Sequence, residues 1–350
     1  MPLPDSSWGE MKIQNREQLE DRMSRPSEAD IAAMHEIEGD VLILGVGGKM
    51  GPTLARLIRR SADAAGKKIR VIGVARFSDK AMPNSLRSHG IESIACDLLE
   101  PEELGKLPDA ENVIFMAARK FGTTGAEHLS WAINTQMPAL VADRYRRSRI
   151  VCFSSGNVYP LLPATHGGAS EDTPVGPKGE YAQSVLGRER IFEHASHRWG
   201  TRVTFLRLNY AIDLRYGVLV DIARTVFERR PIDLRMPLVN IVWQGDANSV
   251  CMRSIPHCAS PPFVLNLTGP ETLSTRWIAE QFAARFGVDA SFTGEETHWA
   301  LLNNAAKCHQ IFGYPTVTPG EMINWVAEWI AAGGALSDKP THFQAQDGKF

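Results

Sequence analysis

The chain has 350 residues, enough for two domains or for one large α/β domain with an appended lobe. Its 43% hydrophobic and 22% charged residues are typical of a soluble globular protein, and a net charge of −2 gives no reason to expect a nucleic-acid partner. Five cysteines without a CxxC pair argue against a disulfide or zinc framework, so we expect no metal. We find neither a signal peptide nor an apolar run of the ~18 residues that a membrane span requires, and therefore expect a cytoplasmic protein without a membrane partner.

The first part of the chain predicts an α/β domain that follows a short extension. Residues 1–39 are polar, and two helices are predicted there, at 15–23 and 28–37, the second with a capped start at Ser27. From residue 40, short apolar strands alternate with helices, which predicts a Rossmann-type, doubly wound parallel sheet over 40–208. The predicted strands are 40–44, 69–75, 91–96, 113–117, 149–153 and 203–208, and the predicted helices are 50–65, 126–147 and 179–199.

The alternation breaks down after residue 209. We interpret residues 209–333 mostly as a smaller substrate lobe, interleaved with the Rossmann domain, and residues 334–350 as a polar, irregular tail. The helices predicted in this part are 215–229, 275–287, 295–307 and 320–332, and the short strands are 239–243 and 263–267.

A glycine-rich turn directly follows the first predicted strand. Gly45, Gly48 and Gly51 are spaced as GxxGxxG, and a predicted helix begins within the motif. The first glycine permits a sharp turn, the second lets the backbone approach a pyrophosphate, and the third lets the helix pack closely on the sheet. Lys49 and Met50 belong to the same turn and are expected beside the cofactor. This context predicts a dinucleotide site.

The end of the second strand indicates which dinucleotide is bound. An acidic residue there would bind the ribose 2′-hydroxyl of NAD, but the strand ends with Ala75 followed by Arg76, and no carboxylate occurs before Asp79. A guanidinium can bind a 2′-phosphate through two hydrogen bonds, and Lys49 adds positive charge nearby. The pattern favours NADP over NAD.

From this point the chain resembles the extended short-chain dehydrogenase/reductase family, over roughly residues 40–330. The motifs that carry the resemblance are Cys96-Asp97-Leu98, Met116-Ala117-Ala118, the segment from Phe153 to Tyr159, the run from Glu171 to Tyr181, and the segment from Leu265 to Glu271. The resemblance implies a homodimer through the helices at 126–147 and 179–199. It also implies a catalytic hydroxyl pair, Ser155 and Tyr181, with cofactor contacts at Asp97, Leu98, Ala117, Ala118, Lys120, Asn134 and Tyr181.

One position departs from the family pattern. The family has YxxxK, in which the lysine binds the nicotinamide ribose and lowers the pKa of the tyrosine, but Val185 stands four residues after Tyr181. Another cation can take its place, and the candidates are Lys178, Lys120 and Arg188. Alternatively, Tyr181 works unaided beside an oxidised nicotinamide, or the site is chemically silent. Retention of both hydroxyls argues against the last interpretation.

These features predict an NAD(P)-dependent oxidoreductase or epimerase. Hydride transfer would occur at a carbinol or ketone carbon of a sugar, sugar acid or sugar nucleotide, with a silent dinucleotide sensor as the alternative. Dehydration is disfavoured because Ser155 is followed by Gly156 rather than by an acidic pair. The expected substrate contacts are Asn157, Asn209, Tyr210, Trp243 and Gln244.

Overall fold

The computed structural model describes residues 12–120, 122, 125–337, 341–346 and 348. Parts of the expected N-terminal extension and C-terminal tail therefore lie outside the described residues. No helix among the described residues is long and apolar enough to span a lipid bilayer.

The described chain alternates strands and helices up to about residue 208. The strands are β1 (Val41–Leu44), β2 (Val71–Ala75), β3 (Glu92–Ala95), β4 (Asn112–Phe115), β5 (Arg149–Ser155), β6 (Leu162–Pro163), β7 (Arg202–Leu208), β8 (Ala211–Ile212), β9 (Ile232–Asp233), β10 (Leu238–Val239), β11 (Val242–Trp243), β12 (Phe263–Leu267), β13 (Leu273–Ser274), β14 (Phe292–Thr293) and β15 (Trp299–Ala300). The α-helices are α1 (Arg16–Met23), α2 (Glu28–Met34), α3 (Gly51–Ala64), α4 (Met82–Ser88), α5 (Pro101–Gly105), α6 (Glu127–Trp131), α7 (Met137–Arg144), α8 (Gly179–Trp199), α9 (Val218–Phe227), α10 (Gln244–Arg253), α11 (Thr275–Phe286), α12 (Ala306–Phe312) and α13 (Pro319–Ala331).

Seven parallel strands form the central sheet, in the order β12-β7-β5-β4-β1-β2-β3. β1 lies inside the sheet and all four of its residues are buried, as expected for a strand covered on both faces. Its alternate side chains face opposite layers: Val41 and Ile43 pack with α3 and α10, whereas Leu42 and Leu44 pack with α7 and α8. The predicted doubly wound fold is confirmed, and β12 adds a strand from beyond residue 209.

The N-terminal extension packs on the body of the protein. The Ser27 hydroxyl accepts a hydrogen bond from the backbone of Asp30, whose carboxylate in turn caps Ser27, so the predicted helix start is confirmed. α1 and α2 lie against α3 and α10, with Leu19 and Met34 fully buried. Arg60 of α3 donates to Asp21 of α1 at 2.9 Å.

The predicted helix at 126–147 contains a π-helical turn, Ala132–Gln136. The turn directly precedes the segment that contains Pro138, which has no N–H to donate and whose ring would collide with the carbonyl four residues earlier in a regular helix. Such turns relieve this conflict and occur often at functional sites. Here the turn carries Asn134, whose side chain is buried.

The predicted helix at 295–307 is wrong. Its first half contains β15, which pairs antiparallel with β6, and α12 begins only at Ala306. The backbone between them bonds to a distant segment: Ala169 donates to the carbonyl of Leu302 and accepts from the N–H of Asn304. These long-range bonds replace the local bonds that a helix would need. The predicted strand at 239–243 is likewise two separate strands, β10 and β11.

Candidate dinucleotide and substrate site

The glycine turn leaves β1 at the carboxyl edge of the sheet. The N–H groups of Gly45 and Val46 both donate to the carbonyl of Val74, and Gly48 donates back to the carbonyl of Gly45 at 3.0 Å. Gly45 has φ +95°, and a Cβ there would lie 2.6 Å from the backbone nitrogen of Ala117. The turn therefore needs glycine both for its conformation and for its contact with the end of β4.

The remaining residues of the turn connect it to the helix and to the lobe. Gly51 opens α3, where a Cβ would collide with the carbonyl of Val46. Met50 packs against the core on that side of the sheet. The Lys49 ammonium lies 2.7 Å from the ring centroid of Tyr216, which precedes α9. Lys49 thus joins the turn to the C-terminal lobe by a cation–π contact.

A cavity of about 370 Å³ opens beside the turn. Specific small-molecule sites measure roughly 300–1,000 Å³, so the cavity fits the adenosine half of a dinucleotide. The ends of β2, β3 and β4 form its walls. The residues predicted at this site that line it are Gly45, Gly48, Arg76, Asp97, Leu98, Ala117 and Ala118.

Charged side chains stand at the mouth of this cavity. Arg76 is 70% exposed, and its guanidinium lies 3.7 Å from the carboxylate of Asp97. Ser78 and Lys80 also line the cavity, although the sequence did not single them out as contacts. Their position after β2, in the same loop as Arg76, was the available signal.

Ser155 and Tyr181 are brought together at the carboxyl end of β5. Ser155 ends that strand, Tyr181 lies in the first turn of α8, and their hydroxyls are hydrogen-bonded. Asn157 donates to the Ser155 oxygen from its backbone at 3.2 Å and from its amide at 3.1 Å. Burial raises the pKa of Tyr181, whereas the Arg188 charge and the bond to Ser155 act in the opposite direction.

Arg188 lies buried behind this pair. It donates to the carbonyl of Phe153 and to the side-chain oxygen of Asn134, both at 2.7 Å. Asn134 in turn donates to Ser184 at 2.9 Å, one turn after Tyr181. The π-helical turn therefore holds the asparagine that orients the guanidinium.

Residue 185, where the YxxxK pattern has its lysine, lies in apolar surroundings. Val185 is 1% exposed and packs in a small cluster with Tyr181, Val158 and Tyr159. A charged side chain at this position would have to displace apolar neighbours, and burying an unpaired ion costs several kcal/mol.

The other two candidate cations lie near the Tyr181 ring and at the start of α8. The Lys120 ammonium is 5.9 Å from the centroid of the Tyr181 ring. Burial lowers the pKa of Lys120 to about 8, while the carboxylate of Asp221 acts in the opposite direction. Lys178 directly precedes α8 and lines a small cavity there.

A buried polar network supports the end of β5 from below. The carboxylate of Glu189 accepts from Ser154 and pairs with Arg207 at 2.8 Å. Arg207 also donates to the Tyr159 hydroxyl at 2.7 Å, and that hydroxyl donates to Asn266 at 2.9 Å. The network fixes the residue before Ser155, and motif reading missed it because its members come from four separate elements.

Two expected substrate contacts line a small cavity near the end of β5. Asn157 and Tyr210 line it together with Lys178, and its volume is about 40 Å³. Asn209 is only 3% exposed, and it donates to the side chain of Asn240 at 2.9 Å. Asn209 therefore ties β7 to the lobe instead of facing this cavity.

Trp243 and Gln244 lie elsewhere, which corrects their assignment as substrate contacts. Trp243 is 2% exposed and packs edge-to-face on Trp325 with ring centroids 5.3 Å apart. Gln244 donates to Thr53 of α3 at 3.2 Å. Both side chains belong to the contact between α10, the extension and the lobe, because Gln244 also contacts Met23 of α1 and Trp243 packs on Trp325 of α13. Among the described residues, no group of three or more histidine, cysteine or acidic side chains is arranged to hold a metal.

Comparison with known proteins places this geometry in context. UDP-glucose 4-epimerase from Thermotoga maritima is 13% identical, with 84% of this chain and 99% of that chain covered and a TM-score of 0.68. UDP-glucuronic acid 4-epimerase from Bacillus cereus, in complex with UDP-glucuronic acid and NAD, is 16% identical, with 83% and 99% covered and a TM-score of 0.70. dTDP-glucose 4,6-dehydratase from Bacillus anthracis, in complex with NAD, is 16% identical, with 84% and 97% covered and a TM-score of 0.70.

At these identities the structural likeness concerns the fold. No curated protein sequence matches the chain. The profile of the NAD dependent epimerase/dehydratase family matches residues 41–211, which include the glycine turn and the hydroxyl pair. The resemblance inferred from the motifs is confirmed by this match, in which residues 41–211 are similar to the NAD dependent epimerase/dehydratase family.

Proposed function

We propose that this protein is an NAD(P)-dependent oxidoreductase or epimerase that acts at a carbinol or ketone carbon of a sugar, sugar acid or sugar nucleotide. The hydrogen-bonded pair of Ser155 and Tyr181, at the same sheet edge as the glycine turn, carries the proposal. Sugar-nucleotide epimerases among the similar structures, and the dehydratases beside them, support this substrate class.

The residues of the open cavity fit a dinucleotide. The backbone at Gly45 and Gly48 would approach the pyrophosphate, and the walls at Asp97 and Ala117 would hold the adenosine half. We propose NADP in preference to NAD because Arg76 lines the cavity where a 2′-phosphate would lie, and Lys80 adds a second cation. When bound, the nicotinamide supplies the hydride acceptor or donor.

The chain's own residues would handle the proton. In carbinol oxidation, the Tyr181 phenolate takes the proton of the substrate hydroxyl; in ketone reduction, the phenol returns it. The Ser155 hydroxyl donates a hydrogen bond to the same substrate oxygen and stabilises charge that develops there. Asn157 fixes Ser155 through its two hydrogen bonds.

Arg188 is the cation that we propose in place of the missing lysine. Its charge lowers the pKa of Tyr181, and its two 2.7 Å bonds hold it rigidly behind the hydroxyl pair. The Lys120 ammonium lies 5.9 Å from the centroid of the Tyr181 ring, and Lys178 lines the small cavity near Asn157. Lys178 is thus placed to contact a ligand, whereas Arg188 is placed to tune the tyrosine.

A silent dinucleotide sensor is the second candidate function. It is favoured by the apolar environment of Val185 and by the small volume left beside Tyr210. Such a protein would bind the dinucleotide without turning it over.

Nicotinamide absorbance with a panel of sugars and keto sugars separates the two functions. We expect substrate-dependent turnover that falls at least about a hundredfold in Tyr181→Phe, the usual contribution of a general acid–base. Tyr314→Phe makes the same change at a residue that is 72% exposed and should have no effect. Turnover that survives in Tyr181→Phe would overturn the catalytic assignment. Firm dinucleotide binding without turnover of any substrate would favour the sensor.

We also propose that two copies associate through the face of α6, α7 and α8. Leu129 and Trp131 of α6 are 40% and 37% exposed there, an apolar surface that a second copy would cover. Sedimentation equilibrium measures the mass in solution, and a monomer at all concentrations would contradict the proposal.

A further inference from the structure

The C-terminal segment, residues 341–346 and Gly348, lies across the cleft between the Rossmann unit and the lobe. Its first residues are anchored in the lobe: Thr341 donates to the carboxylate of Asp221 from its backbone at 2.7 Å and from its hydroxyl at 2.5 Å. Phe343 is 8% exposed and packs in the hydrophobic core of the lobe. The Gln346 amide donates to the carbonyl of Arg235. The segment is therefore seated on α9 and on the loop after β9.

The far end of the segment meets the helix that carries Tyr181. A Cβ on Gly348 would collide with the carbonyl of Lys178, and one on Gly179 would collide with the carbonyl of Gly348. Gly348 has φ +75°, which a glycine adopts without strain. The backbones are in van der Waals contact, so the segment closes the cleft from the lobe to the start of α8.

This closure determines how much space remains beside Asn157, the residue that is hydrogen-bonded to Ser155. Phe343, Ala345, Gln346 and Gly348 line the small cavity opposite Asn157, and its volume is about 40 Å³. One water molecule occupies about 30 Å³ of liquid, and specific ligand sites measure roughly 300–1,000 Å³. The segment in this position leaves no room for a nucleotide sugar.

We propose that the C-terminal segment is a specificity-determining wall of the substrate site. With the segment in place the cleft accepts only a compact carbonyl or carbinol, and displacement of the segment from α8 admits a nucleotide sugar. The proposal rests on the proposed function, because it takes the cleft beside Ser155 and Tyr181 as the substrate site. It assigns to the segment a role that no motif in the sequence indicates.

Two variants separate the part of the segment that anchors it in the lobe, Thr341 and Phe343, from the part that lines the cavity beyond Phe343. A chain that ends at Phe343 keeps the bonds of Thr341 and the buried ring but removes the three other cavity-lining residues. Gly348→Ala keeps the full chain and forces its end away from Lys178. Gly200→Ala is the matched control, since Gly200 has φ +71° and no atom lies within 4 Å of the place that an added Cβ would take.

Calorimetry with UDP-glucose as the probe tests the proposal. We expect the chain ending at Phe343 and Gly348→Ala to bind UDP-glucose at least tenfold more tightly than the full chain, and Gly200→Ala to bind it as the full chain does. Binding of the dinucleotide should be equal in all four proteins. If the shortened chain does not fold, as judged by its thermal transition, Gly348→Ala decides alone.

Equal affinities for UDP-glucose in the full chain and in both variants would overturn the proposal, as would failure of all of them to bind it. The measurement needs no turnover. A gain of binding in the variants together with full activity of Tyr181→Phe would therefore support the wall while contradicting the catalytic assignment.

Discussion

The two halves of the cleft differ in how they are built. The proposed adenosine half is an open cavity of about 370 Å³, formed by the turns that follow β1, β2, β3 and β4. The proposed substrate half is a cavity of about 40 Å³, and its walls come from positions as far apart as Asn157 and Gly348. Short local motifs therefore identify the first half, while the second depends on how distant parts of the chain meet.

The largest effect is expected from a methyl group added to the glycine turn that lines the open cavity. Gly45→Ala places a Cβ 2.6 Å from the nitrogen of Ala117 at φ +95°, so the phosphate-binding turn must shift. Displacements of about 1 Å can cost about a hundredfold in a preorganised site, and we expect NADPH affinity to fall at least that much.

Calorimetry measures this loss, with Gly66→Ala as control. Gly66 has φ +67° and no atom within 4 Å of an added Cβ, so it reports backbone strain without a collision. Unchanged affinity in Gly45→Ala would remove the turn from the cofactor site and leave the open cavity without its assigned ligand.

Arg76→Ala tests whether the proposed adenosine half prefers NADP to NAD. A charge-assisted hydrogen bond contributes about 2 kcal/mol, so NADPH should bind about thirtyfold more weakly, while NADH changes less than about twofold. Arg87→Ala removes an exposed arginine of α4 and should affect neither. Equal losses for both dinucleotides would contradict the preference for NADP.

Arg188→Met tests whether the Arg188 charge lowers the pKa of Tyr181 in the proposed substrate half. Loss of the guanidinium removes the charge that lowers the pKa of Tyr181, so the phenolate forms at higher pH. We expect the pH profile of carbinol oxidation to move about one unit to the alkaline side, with about tenfold lower activity at pH 7. Arg188→Lys should retain the profile, and Arg190→Met, on the exposed face of α8, should not alter it. An unchanged profile in Arg188→Met would show that Tyr181 works without this cation.

The smallest effect is expected for Lys120→Met, which should change the free energy of unfolding in a pH-dependent way. Burial lowers the pKa of Lys120 to about 8, whereas an unfolded lysine titrates near ~10.4. Between these values the unfolded chain holds one more proton, so the wild-type protein gains stability as pH rises. The stability advantage of Lys120→Met should be greatest below pH 8 and decline up to about pH 10.4. Urea unfolding at several pH values measures this advantage, and a difference that stays constant with pH would contradict the lowered pKa of Lys120.

Sequence patterns predicted the structure correctly where it depends on residues that are close together in the chain. The helix predicted at 179–199 is α8 with the same bounds, because Gly200 adopts the left-handed conformation that ends it. Ser27 and Asp30 form the cap that their spacing indicates. The hydroxyl pair could be located because both residues belong to recognisable motifs.

The positions that the sequence did not predict depend on tertiary contacts. Asn209 and Trp243 were expected at the substrate, but hydrogen bonding to Asn240 and packing on Trp325 place them in the interior. Nothing in the polar sequence of the tail indicates that Phe343 enters the lobe core or that Gly348 reaches α8. Such pairings join residues that are distant along the chain, from Asn209 with Asn240 to Lys178 with Gly348, and hydrophobic periodicity does not extend over these separations.

The order of the central sheet also bears on aggregation. Its free margins are β3 and β12, where unpaired backbone groups could recruit a strand from another molecule. At the first margin, the Arg70 guanidinium donates two hydrogen bonds to the carboxylate of Glu92, and both charged groups are partly exposed to solvent. At the second, the carbonyl of Val264 accepts from Lys307 and the N–H of Asn266 donates to Glu171, both at 2.8 Å. Side chains thus occupy backbone positions of β12 that an incoming strand would need, and the charges at the start of β3 disfavour pairing at the other margin.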